Sequence, residues 1–326
     1  MINAAIVGLG RWGRNLVESV QGKSDRLRFT HAVVRRPDAA SDFTTRQGLQ
    51  VSTDYDRLLT DAAVQAVVLA TPHSLHAGQI VAAAGAGKPV FCEKPLALNV
   101  ADAERAIAAC RRAGVPLGLG YNKRFWPSMR ELKKIVHGGT LGELLHIEGH
   151  FSNESTRRFY KGWRERAEEA PGGSLTATGV HVLDAFIDLA GPVRRVRAER
   201  MARDSAAEPV DTLTVLVQFA GGASGVLCGV RSTPQYSRVH AFGDKGSAEA
   251  LEDNEVIVRR SGAPPQRVAF EPVDTLRVEL EAFADAIGAG VPYPIPYDQM
   301  LDGVAALEAA VRSLERQDAV MVPGRG

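Results

Sequence analysis

The chain has 326 residues, of which 45% are hydrophobic and 24% charged, and its 39 basic residues nearly balance 38 acidic ones. This length suits one large or two ordinary globular domains, because a single core stops growing at about 250–300 residues. The even charge balance gives no bulk electrostatic reason to bind nucleic acid or a membrane surface. We therefore expect a soluble globular protein, of two domains, without a nucleic acid or membrane partner.

The cysteines and the N-terminal residues indicate the cellular compartment in which we expect the protein. Cys92, Cys110 and Cys228 lie far apart and have no metal-ligand spacing, so we expect a reducing environment and no metal site. The start, Met1-Ile2-Asn3, lacks the pattern of a signal peptide. No stretch approaches the roughly 20 apolar residues of a membrane span. The expected location is the cytoplasm.

The first 120 residues alternate between short apolar runs and helical periods, joined by Gly/Pro turns. This alternation is typical of a doubly wound parallel sheet with helices on both faces. The predicted strands are Ala4–Val7, Phe29–Val34, Gln50–Ser52, Ala66–Ala70, Val90–Cys92 and Leu117–Leu119. The predicted helices are Trp12–Val20, Ala39–Gln47, Tyr55–Leu59, His76–Ala86 and Val100–Ala113.

After Gly120 the pattern changes to strands at hairpin spacing, which predict a large, mostly antiparallel open sheet. These strands are Leu144–Phe151, Val193–Met201, Thr212–Phe219, Ser224–Val230, Arg238–Phe242, Ser247–Leu251 and Val256–Arg260. Helices are predicted at Pro127–His137, Leu175–Leu189, Leu276–Ile287 and Met300–Leu314. We divide the chain into domains of residues 1–120 and 121–326, and expect the last helix, residues 299–315, to pack on the first domain.

The first motif, Gly8-Leu9-Gly10-Arg11-Trp12-Gly13, has the spacing G-x-G-x-x-G between a predicted strand and a predicted helix. In this context the first glycine permits a tight turn, the second lets backbone approach a pyrophosphate, and the third lets the helix pack on the strand. The helix N-terminus adds N–H donors and a partial positive charge. The motif predicts a dinucleotide site, and the alternative is a glycine turn without a ligand.

The end of the second strand bears on the choice of dinucleotide. An Asp or Glu that binds the ribose is expected there, about 20 residues after the glycines, but the sequence has Arg35-Arg36. Arginine binds phosphate through paired hydrogen bonds or stacks on adenine, so NADP(H) is favoured over NAD(H). Asp38 lies close by and argues the other way. The alternative is a pair of solvated surface arginines.

The motif Glu93-Lys94-Pro95 directly follows a predicted buried strand, at the sheet edge where open α/β sheets bind ligands. A lysine there can hydrogen-bond a substrate hydroxyl or carbonyl and stabilise a developing alkoxide. Glu93 could orient Lys94 or contact the cofactor. The alternative is a structural ion pair at a strand end, and the dinucleotide motif on the same edge favours function.

A further candidate lies on the predicted helix Leu175–Leu189. Helical spacing puts Ala177, His181 and Asp184 on one face, and Thr178 shares that face with His181. A histidine there can relay a proton near neutral pH, whereas the alternative is a buried structural histidine. The preceding pair of glycines, at 172 and 173, permits close approach of backbone to a ligand and favours function.

Together these motifs resemble the glucose–fructose oxidoreductase / inositol dehydrogenase / MocA (Gfo/Idh/MocA) family of NAD(P)-dependent oxidoreductases, over nearly the whole chain. The resemblance implies a Rossmann domain at residues 1–120 and an α/β substrate domain whose open sheet forms homodimers or homotetramers. The motifs that carry it are Gly8–Gly13, Ala70-Thr71-Pro72-His73-Ser74-Leu75-His76, Glu93-Lys94-Pro95-Leu96-Ala97, Gly120-Tyr121-Asn122-Lys123-Arg124-Phe125, Gly172-Gly173-Ser174-Leu175 and Gly179-Val180-His181-Val182-Leu183-Asp184.

The resemblance also implies roles for single residues. Lys94 would contact the oxygen of the reacting carbon, and His181 matches the catalytic histidine of the family. The expected cofactor residues are Gly8, Leu9, Gly10, Arg11, Trp12, Gly13, Arg35, Arg36, Thr71, Pro72, His73, His76, Glu93, Lys94 and Asn122. The expected substrate residues are Lys94, Tyr121, Arg124, Arg164, Thr178, His181 and Asp184, with Arg164 taken from the similarity of Trp163-Arg164 to a family pair.

One position departs from the family pattern. Many members carry Asp four residues before the histidine, and this chain has Ala177. His181 therefore lacks its usual helical carboxylate partner. Either Asp184 or a threonine hydroxyl replaces it, or Lys94 carries more of the proton transfer. A milder difference is His73, where the family often has Asn.

These observations predict an NADP-dependent dehydrogenase or reductase that moves hydride between nicotinamide and a secondary alcohol or ketone of a sugar, polyol or cyclic diol. An alternative enzyme is a trans-dihydrodiol dehydrogenase or a bilin-reductase-like protein. An alternative of another class is a non-catalytic NADP-binding sensor or assembly protein, which Ala177 favours and which Lys94 and His181 oppose.

Overall fold

The computed structural model describes residues 1–153, 162–202, 211–231 and 233–323. The chain divides into two compact units, the first comprising Met1–Asn122 and Asp274–Met300 and the second comprising Lys123–Val273 and Leu301–Gly326. The first unit therefore contains a late segment of the chain. Within the described ranges, no helix combines the length and the apolar character that a membrane span requires.

The β-strands and α-helices of the described residues are numbered in chain order. They are β1 (Ile2–Val7), α1 (Arg11–Val20), β2 (Leu27–Val33), α2 (Ser41–Gln47), β3 (Gln50–Ser52), α3 (Tyr55–Leu59), β4 (Ala66–Leu69), α4 (His76–Gly85), β5 (Val90–Glu93), α5 (Val100–Ala113), β6 (Leu117–Gly120), α6 (Pro127–His137), β7 (Leu144–Ser152), α7 (Val180–Ala190), β8 (Val193–Ala202), β9 (Asp211–Phe219), β10 (Ser224–Val230), β11 (Tyr236–Gly243), β12 (Gly246–Leu251), β13 (Glu255–Arg259), β14 (Gln266–Ala269), α8 (Thr275–Gly288), α9 (Tyr297–Arg316) and β15 (Val320–Met321).

The first unit contains a six-stranded sheet in the order β3-β2-β1-β4-β5-β6, with every pair parallel. Strands β4, β5 and β6 are buried at every position, because helices cover both faces of a doubly wound sheet. The strand order reverses between β1 and β4, and ligands bind at the carboxyl ends of strands beside such a reversal. The predicted parallel, doubly wound sheet is confirmed.

Helix α8 packs on this sheet. Its Phe283 ring lies 5.7 Å from the ring of Phe91 in β5. In β6, Gly118 leaves room for both rings, since a Cβ there would lie 2.9 Å from Phe91 and 3.1 Å from Phe283. Tyr293, which follows α8, donates a hydrogen bond from its hydroxyl to the carbonyl of Leu119 at 3.0 Å.

The packing of the last helix, residues 299–315, on the first domain stays a prediction. Only the first residues of α9 belong to the first unit, and from Leu301 onward the helix belongs to the second. Within the second unit, Ser313 of α9 accepts a hydrogen bond from the amide of Ala198 in β8 at 2.9 Å. The late segment of the first unit is Asp274–Met300, and two of its aromatic rings, Phe283 in α8 and Tyr293 after it, fill the space beside Gly118.

The second unit contains a nine-stranded sheet in the order β14-β13-β12-β11-β7-β10-β9-β8-β15. Its pairs are antiparallel except β7 with β10, which confirms the predicted mostly antiparallel sheet. Helix α7 lies directly on β7, since a Cβ on Gly149 would be 2.2 Å from Val182 and 2.8 Å from Phe186. Strands β14 and β15 are not predicted from the sequence. The first is an exposed edge strand without an apolar pattern, and the second has only two residues.

The predicted helix Leu175–Leu189 has a different start in the structure. Residues Leu175–Gly179 form a π-helix, and regular α-helix begins only at Val180. A π-helical turn is wider than an α-helical one, so positions four apart no longer stack as the α-helical spacing of Ala177 and His181 assumes. Such turns occur often at functional sites.

Candidate functional site

The glycine turn after β1 has the form that a dinucleotide requires. Gly8 has a φ of +95°, and a Cβ there would lie 2.7 Å from the carbonyl oxygen of Ala70. A Cβ on Gly13 would lie 2.0 Å from the carbonyl oxygen of Gly8, so this glycine is needed for α1 to pack. Gly10 differs from both, because a Cβ there would meet nothing within 4 Å.

The empty space beside Gly10 indicates where a ligand would lie. Gly10 is the N-cap of α1, and no side chain caps this helix. The protein's own packing does not require a glycine at this position, whereas close approach of a pyrophosphate to the backbone does. The open N-terminus of α1 supplies N–H groups and the positive end of the helix dipole. These residues fit a bound dinucleotide.

The carboxyl ends of the central strands lie level with this turn. Val7 pairs with Leu69, and Glu93 pairs with Gly120, so β1, β4, β5 and β6 end at one edge of the sheet. The expected cofactor residues on this edge lie at the end of one of those strands or just after it, and they are Gly8–Gly13, Thr71, Pro72, His73, His76, Glu93, Lys94 and Asn122. The parallel sheet therefore brings together motifs that are far apart in sequence.

Lys94 lies at the end of β5. It is partly buried, and its backbone amide donates to Glu93 Oε2 at 3.3 Å. Glu93 is only 6% exposed and packs over β6, where a Cβ on Gly120 would lie 2.8 Å from its Oε1. The peptide bond between Lys94 and Pro95 is cis. The strand end thus places a lysine beside a carboxylate, and the carboxylate itself is held within the protein.

His76, an expected cofactor residue, is fully buried. Its Nδ1 lies 2.8 Å from the carbonyl oxygen of Pro95, and its Nε2 lies 3.1 Å from that of Thr71. The ring therefore links the segment after β4 to the segment after β5. Nearby, the Thr71 hydroxyl donates to Gln79 Oε1 at 2.6 Å, and His73 is partly exposed with its ring 5.7 Å from that of His76.

Arg35 and Arg36 follow β2 and are both exposed, as is Asp38. Between them and the glycine turn lies Arg14, whose guanidinium donates to the carbonyl oxygens of Leu9 and Ala39, each at 3.3 Å. The turn and the segment after β2 are therefore connected. Exposed guanidinium groups on this segment are compatible with a 2′-phosphate ligand and equally with solvated side chains.

In the second unit, His181 is 8% exposed on α7, and its ring lies 6.1 Å from that of Phe151. Lys123 belongs to the same group, with its Nζ 3.1 Å from the centre of the Phe151 ring and 4.2 Å from that of Trp126. The ammonium also donates to Ser237 Oγ at 3.2 Å. These contacts are cation–π interactions reinforced by a hydrogen bond.

Lys123 lies in the Gly120–Phe125 motif but is not among the predicted site residues. The signal that could have selected it is a lysine three residues before an aromatic one, Trp126, at the start of a helix. Lys123 and His181 line one pocket of the second unit. The other residues of its lining are Arg124, Trp126, Met129, Val182, Asp184, Ala185, Asp188, Ser237, Val239, Ala250 and Glu252.

Arg124 and Asp184, both expected to contact substrate, form a buried ion pair. The guanidinium donates from Nε to Asp184 Oδ2 at 2.8 Å and from Nη2 to Oδ1 at 2.7 Å. It also donates to Asp188 at 2.8 Å, and Lys133 donates to the same Asp188 oxygen at 2.7 Å. Burial raises the pKa of Asp184, and Arg124 opposes that rise. The group balances two cations against two carboxylates.

The hydroxyl groups that could replace the missing dyad carboxylate donate elsewhere. Thr176 donates to the carbonyl of Pro171, and Thr178 donates to the carbonyl of Ser174 at 2.9 Å. Asp184, the other substitute, already accepts two hydrogen bonds from Arg124. Each of these three side chains therefore has a hydrogen-bond partner of its own, and each keeps the capacity to accept a further hydrogen bond.

The remaining expected residues have varied surroundings. Tyr121 is 3% exposed, and the amide nitrogen of Asn122 donates to Thr275 Oγ1 at 3.2 Å within the first unit. The backbone of Arg164 lies in a short 3₁₀-helix, Gly162–Glu165, and its side chain lies outside the described part of the structure. Among the described residues, no group of three or more His, Cys, Asp or Glu is arranged to hold a metal ion.

Comparisons with known proteins agree with both units. A family model described as an oxidoreductase family with an NAD-binding Rossmann fold matches residues 2–121, and a GFO/IDH/MocA C-terminal domain model matches residues 129–249. Myo-inositol 2-dehydrogenase of Thermotoga maritima is 29% identical over 97% of this chain and 97% of its own length. The uncharacterized oxidoreductase ORF334 of Rhizobium meliloti is 31% identical over 86% of each chain.

A solved structure shows the same architecture over nearly the full length. It is an oxidoreductase of Desulfitobacterium hafniense, provisionally described as NADPH-dependent, with a TM-score of 0.89 at 28% identity. The match covers 98% of this chain and 97% of that one. With both domains matched in order, the chain belongs to the Gfo/Idh/MocA family and is an NAD(P)-dependent oxidoreductase.

Proposed function

We propose that this protein is an NADP(H)-preferring dehydrogenase or reductase that acts on a secondary alcohol or ketone of a polyol, sugar or cyclic diol. The observation that carries the proposal is the position of Lys94, on the same sheet edge as the open glycine turn. Support for the substrate class comes from similarity to the myo-inositol 2-dehydrogenase. The product of one direction is a ketone, and that of the other is an alcohol.

The first unit binds and orients the cofactor. When bound, a nicotinamide dinucleotide supplies the group that accepts or donates hydride. The turn Gly8–Gly13 holds the pyrophosphate through backbone N–H groups at the N-terminus of α1. Arg35 and Arg36 bind the 2′-phosphate, and their exposure leaves both guanidinium groups accessible for this. The same arginines give no comparable advantage with NAD(H), which has only a hydroxyl at that position.

Lys94 acts on the substrate oxygen. Its ammonium donates a hydrogen bond to that oxygen and stabilises the negative charge that develops when the hydroxyl proton leaves. His181 is the second group that exchanges this proton. With Ala177 at the position of the dyad aspartate, Lys94 and His181 together carry the proton transfer. This arrangement differs from one that depends on an Asp/His dyad.

The subunits associate through the face of the nine-stranded sheet opposite α7, as a homodimer or homotetramer in the cytoplasm. On this face Leu216 of β9 is 53% exposed and lies beside Val226 of β10. Light scattering of the purified protein tests this part, since a monomer at micromolar concentration would contradict it.

Activity assays with defined substrates test the function. The purified protein is incubated with NADP⁺ or NAD⁺ and a panel of myo-inositol and other cyclic polyols, aldoses, and aromatic trans-dihydrodiols, with the matching ketones assayed in reverse. We expect turnover of a polyol, sugar or cyclic diol with a higher kcat/KM for NADP⁺ than for NAD⁺. Turnover restricted to the aromatic trans-dihydrodiols would favour the alternative of a trans-dihydrodiol dehydrogenase. Tight NADPH binding without turnover across the panel would indicate a non-catalytic sensor.

A further inference from the structure

One acidic side chain of the first unit is buried and takes no part in the chemistry assigned so far. Glu279 lies in the middle of α8 and is 0% exposed. Among the described residues, neither of its carboxyl oxygens has a hydrogen-bond partner. A fully buried carboxylate without a partner is costly, so such a group normally has a ligand, a proton or a function.

The packing of α8 places Glu279 beside the Glu93–Lys94 segment. Thr275, Glu279 and Phe283 are four residues apart and share one face of the helix. At one end of this face Thr275 accepts a hydrogen bond from Asn122, which follows β6. At the other end Phe283 packs on Phe91 in β5. Glu279 therefore lies between the middle of the sheet and its carboxyl edge.

The sheet provides a matching row of positions. In β5, Phe91 and Glu93 point to the same face because they are two residues apart. In β6, a Cβ on Gly118 would meet Phe91 and Phe283, and a Cβ on Gly120 would meet the Glu93 carboxylate. Glu279 lies one helical turn before Phe283, which is about 5.4 Å along α8. Glu93 lies two residues beyond Phe91, which is about 6.6 Å along β5. Because Phe283 packs on Phe91, Glu279 lies at about the level of Glu93.

The charges around Glu279 are acidic. Burial raises its pKa well above the usual value, and the nearby carboxylates of Glu93 and Asp274 raise it further. Strand β6 contributes no titratable group between Leu117 and Gly120. Helix α1 and strand β2 also pack on α8. Their charged side chains are either exposed or bonded to groups other than Glu279. They are Arg11 and Glu18, both exposed, Arg14 on the Leu9 and Ala39 carbonyls, Arg28 on Asn3 and His31 on Asp61.

We propose that Glu279 is a positioning residue, which keeps its proton in the folded protein and confines the Glu93 carboxylate against Gly120 and the Lys94 amide. Two neighbouring buried carboxyl groups do not both ionise, so the proton on Glu279 leaves the charge to Glu93. Loss of that proton at alkaline pH places a second negative charge near Glu93, which repels the Glu93 carboxylate and disturbs the Lys94 amide bonded to it. The consequence for catalysis rests on the proposed role of Lys94, whereas the protonation of Glu279 does not.

The protonation is tested by stability, independently of activity. Wild type, Glu279→Gln and the control Glu281→Gln, on the partly exposed part of the same helix, are unfolded with denaturant between pH 5 and pH 9. Glu279 is neutral when folded and ionised when unfolded, so wild type loses stability as pH rises and the glutamine variant does not. We expect the ratio of their unfolding equilibrium constants to change about tenfold per pH unit until Glu279 ionises in the folded state.

The outcomes of this first test are distinct. A pH-independent difference between wild type and Glu279→Gln, equal to that of Glu281→Gln, would overturn the protonation. If Glu279→Gln fails to fold, infrared spectroscopy of the wild type provides the answer, because a protonated carboxyl has its own C=O band. Absence of that band at neutral pH would overturn the proposal in the same way.

The positioning is tested by kinetics with whichever substrate the panel identifies. Glu279→Gln keeps the shape and neutrality of the acid, so kcat at neutral pH should be retained while the alkaline decline in kcat is reduced. Glu279→Leu removes the carboxyl group beside Glu93, and kcat should fall about tenfold to a hundredfold, the range for a misplaced reacting group. The dissociation constant for NADPH should not change in Glu279→Gln. A wild-type kcat in Glu279→Leu, or an unchanged pH profile in Glu279→Gln, would overturn the positioning role.

Discussion

Lys94 and Cys92 show how much two nearby side chains can differ at the end of one strand. The Cys92 thiol is fully buried, and burial together with the charge of Glu93 raises its pKa well above the usual value. It is therefore an inert thiol at neutral pH. Lys94 is only partly buried, so its ammonium can reach a ligand at the sheet edge. The chemistry proposed for this edge is that of a cation and not that of a nucleophilic sulfur.

Arg35 and Arg36 allow a direct test of cofactor choice. The double substitution Arg35→Ser and Arg36→Ser should weaken NADPH binding about tenfold to a hundredfold, because charge-assisted hydrogen bonds to the 2′-phosphate are lost. NADH binding should stay near wild type. Fluorescence or calorimetric titration of both cofactors measures the change.

A control for this substitution is Arg112→Ser. Arg112 is exposed near the end of α5, at the opposite edge of the sheet. Its loss should alter neither affinity. If the control and the double variant weaken NADPH binding equally, the effect is one of general electrostatics. If the double variant keeps its affinity for NADPH, Arg35 and Arg36 are solvated surface side chains.

The turn between β1 and α1 contains glycines of two kinds. Gly13 is needed for packing, whereas Gly10 faces the proposed ligand. Gly13→Ala should destabilise the fold severely, because its Cβ would overlap the Gly8 carbonyl at 2.0 Å. Gly10→Ala should fold normally, since its Cβ has nothing within 4 Å, yet it should lose dinucleotide affinity by obstructing the pyrophosphate. Thermal unfolding and cofactor titration of the two variants distinguish these effects. Wild-type affinity in Gly10→Ala would place the dinucleotide elsewhere.

The elements that sequence predicts well are those with strong local signals. The buried strands β4 and β5 follow from apolar runs between turn residues, and the glycine turn follows from its spacing. The π-helix at Leu175–Gly179 does not follow, because its residues suit an α-helix equally well and tertiary contacts decide the wider turn. Strand β14 is missed because all its residues are exposed.

The candidate site was predictable to a similar degree. Motif spacing selects Lys94 and His181, but local sequence cannot show that Arg124 lies against Asp184, sixty residues later. The same limit explains Glu279, which looks like an ordinary surface residue of an amphipathic helix until α8 packs on β5 and β6. Buried charges become recognisable only when the partner elements are known.

At the scale of the whole molecule, the buried ion-pair cluster of Arg124 predicts a large stability effect. Arg124→Ala would leave Asp184 and Asp188 buried with Lys133 as the remaining cation of the cluster. The free energy of unfolding should fall by about 3–5 kcal/mol, as when one partner of a buried pair is removed. Denaturant unfolding followed by circular dichroism measures this.

Lys133→Ala is the matched control for that substitution. Its side chain is 40% exposed, so its contribution is screened by solvent and the loss should be at most about 1 kcal/mol. Equal losses in the two variants would contradict the assigned difference in burial. Full stability of Arg124→Ala together with a raised KM would instead identify Arg124 as a substrate ligand.

Parallel assays of turnover and cofactor binding by Lys94→Ala test most directly whether Lys94 acts on the substrate oxygen. If Lys94 acts on the substrate oxygen, kcat should fall by about a hundredfold or more, the range for loss of a general acid or base. The dissociation constant for NADPH should remain near the wild-type value, because the glycine turn and Arg35-Arg36 hold the cofactor without it. A wild-type kcat in Lys94→Ala, with NADPH still bound, would contradict the account.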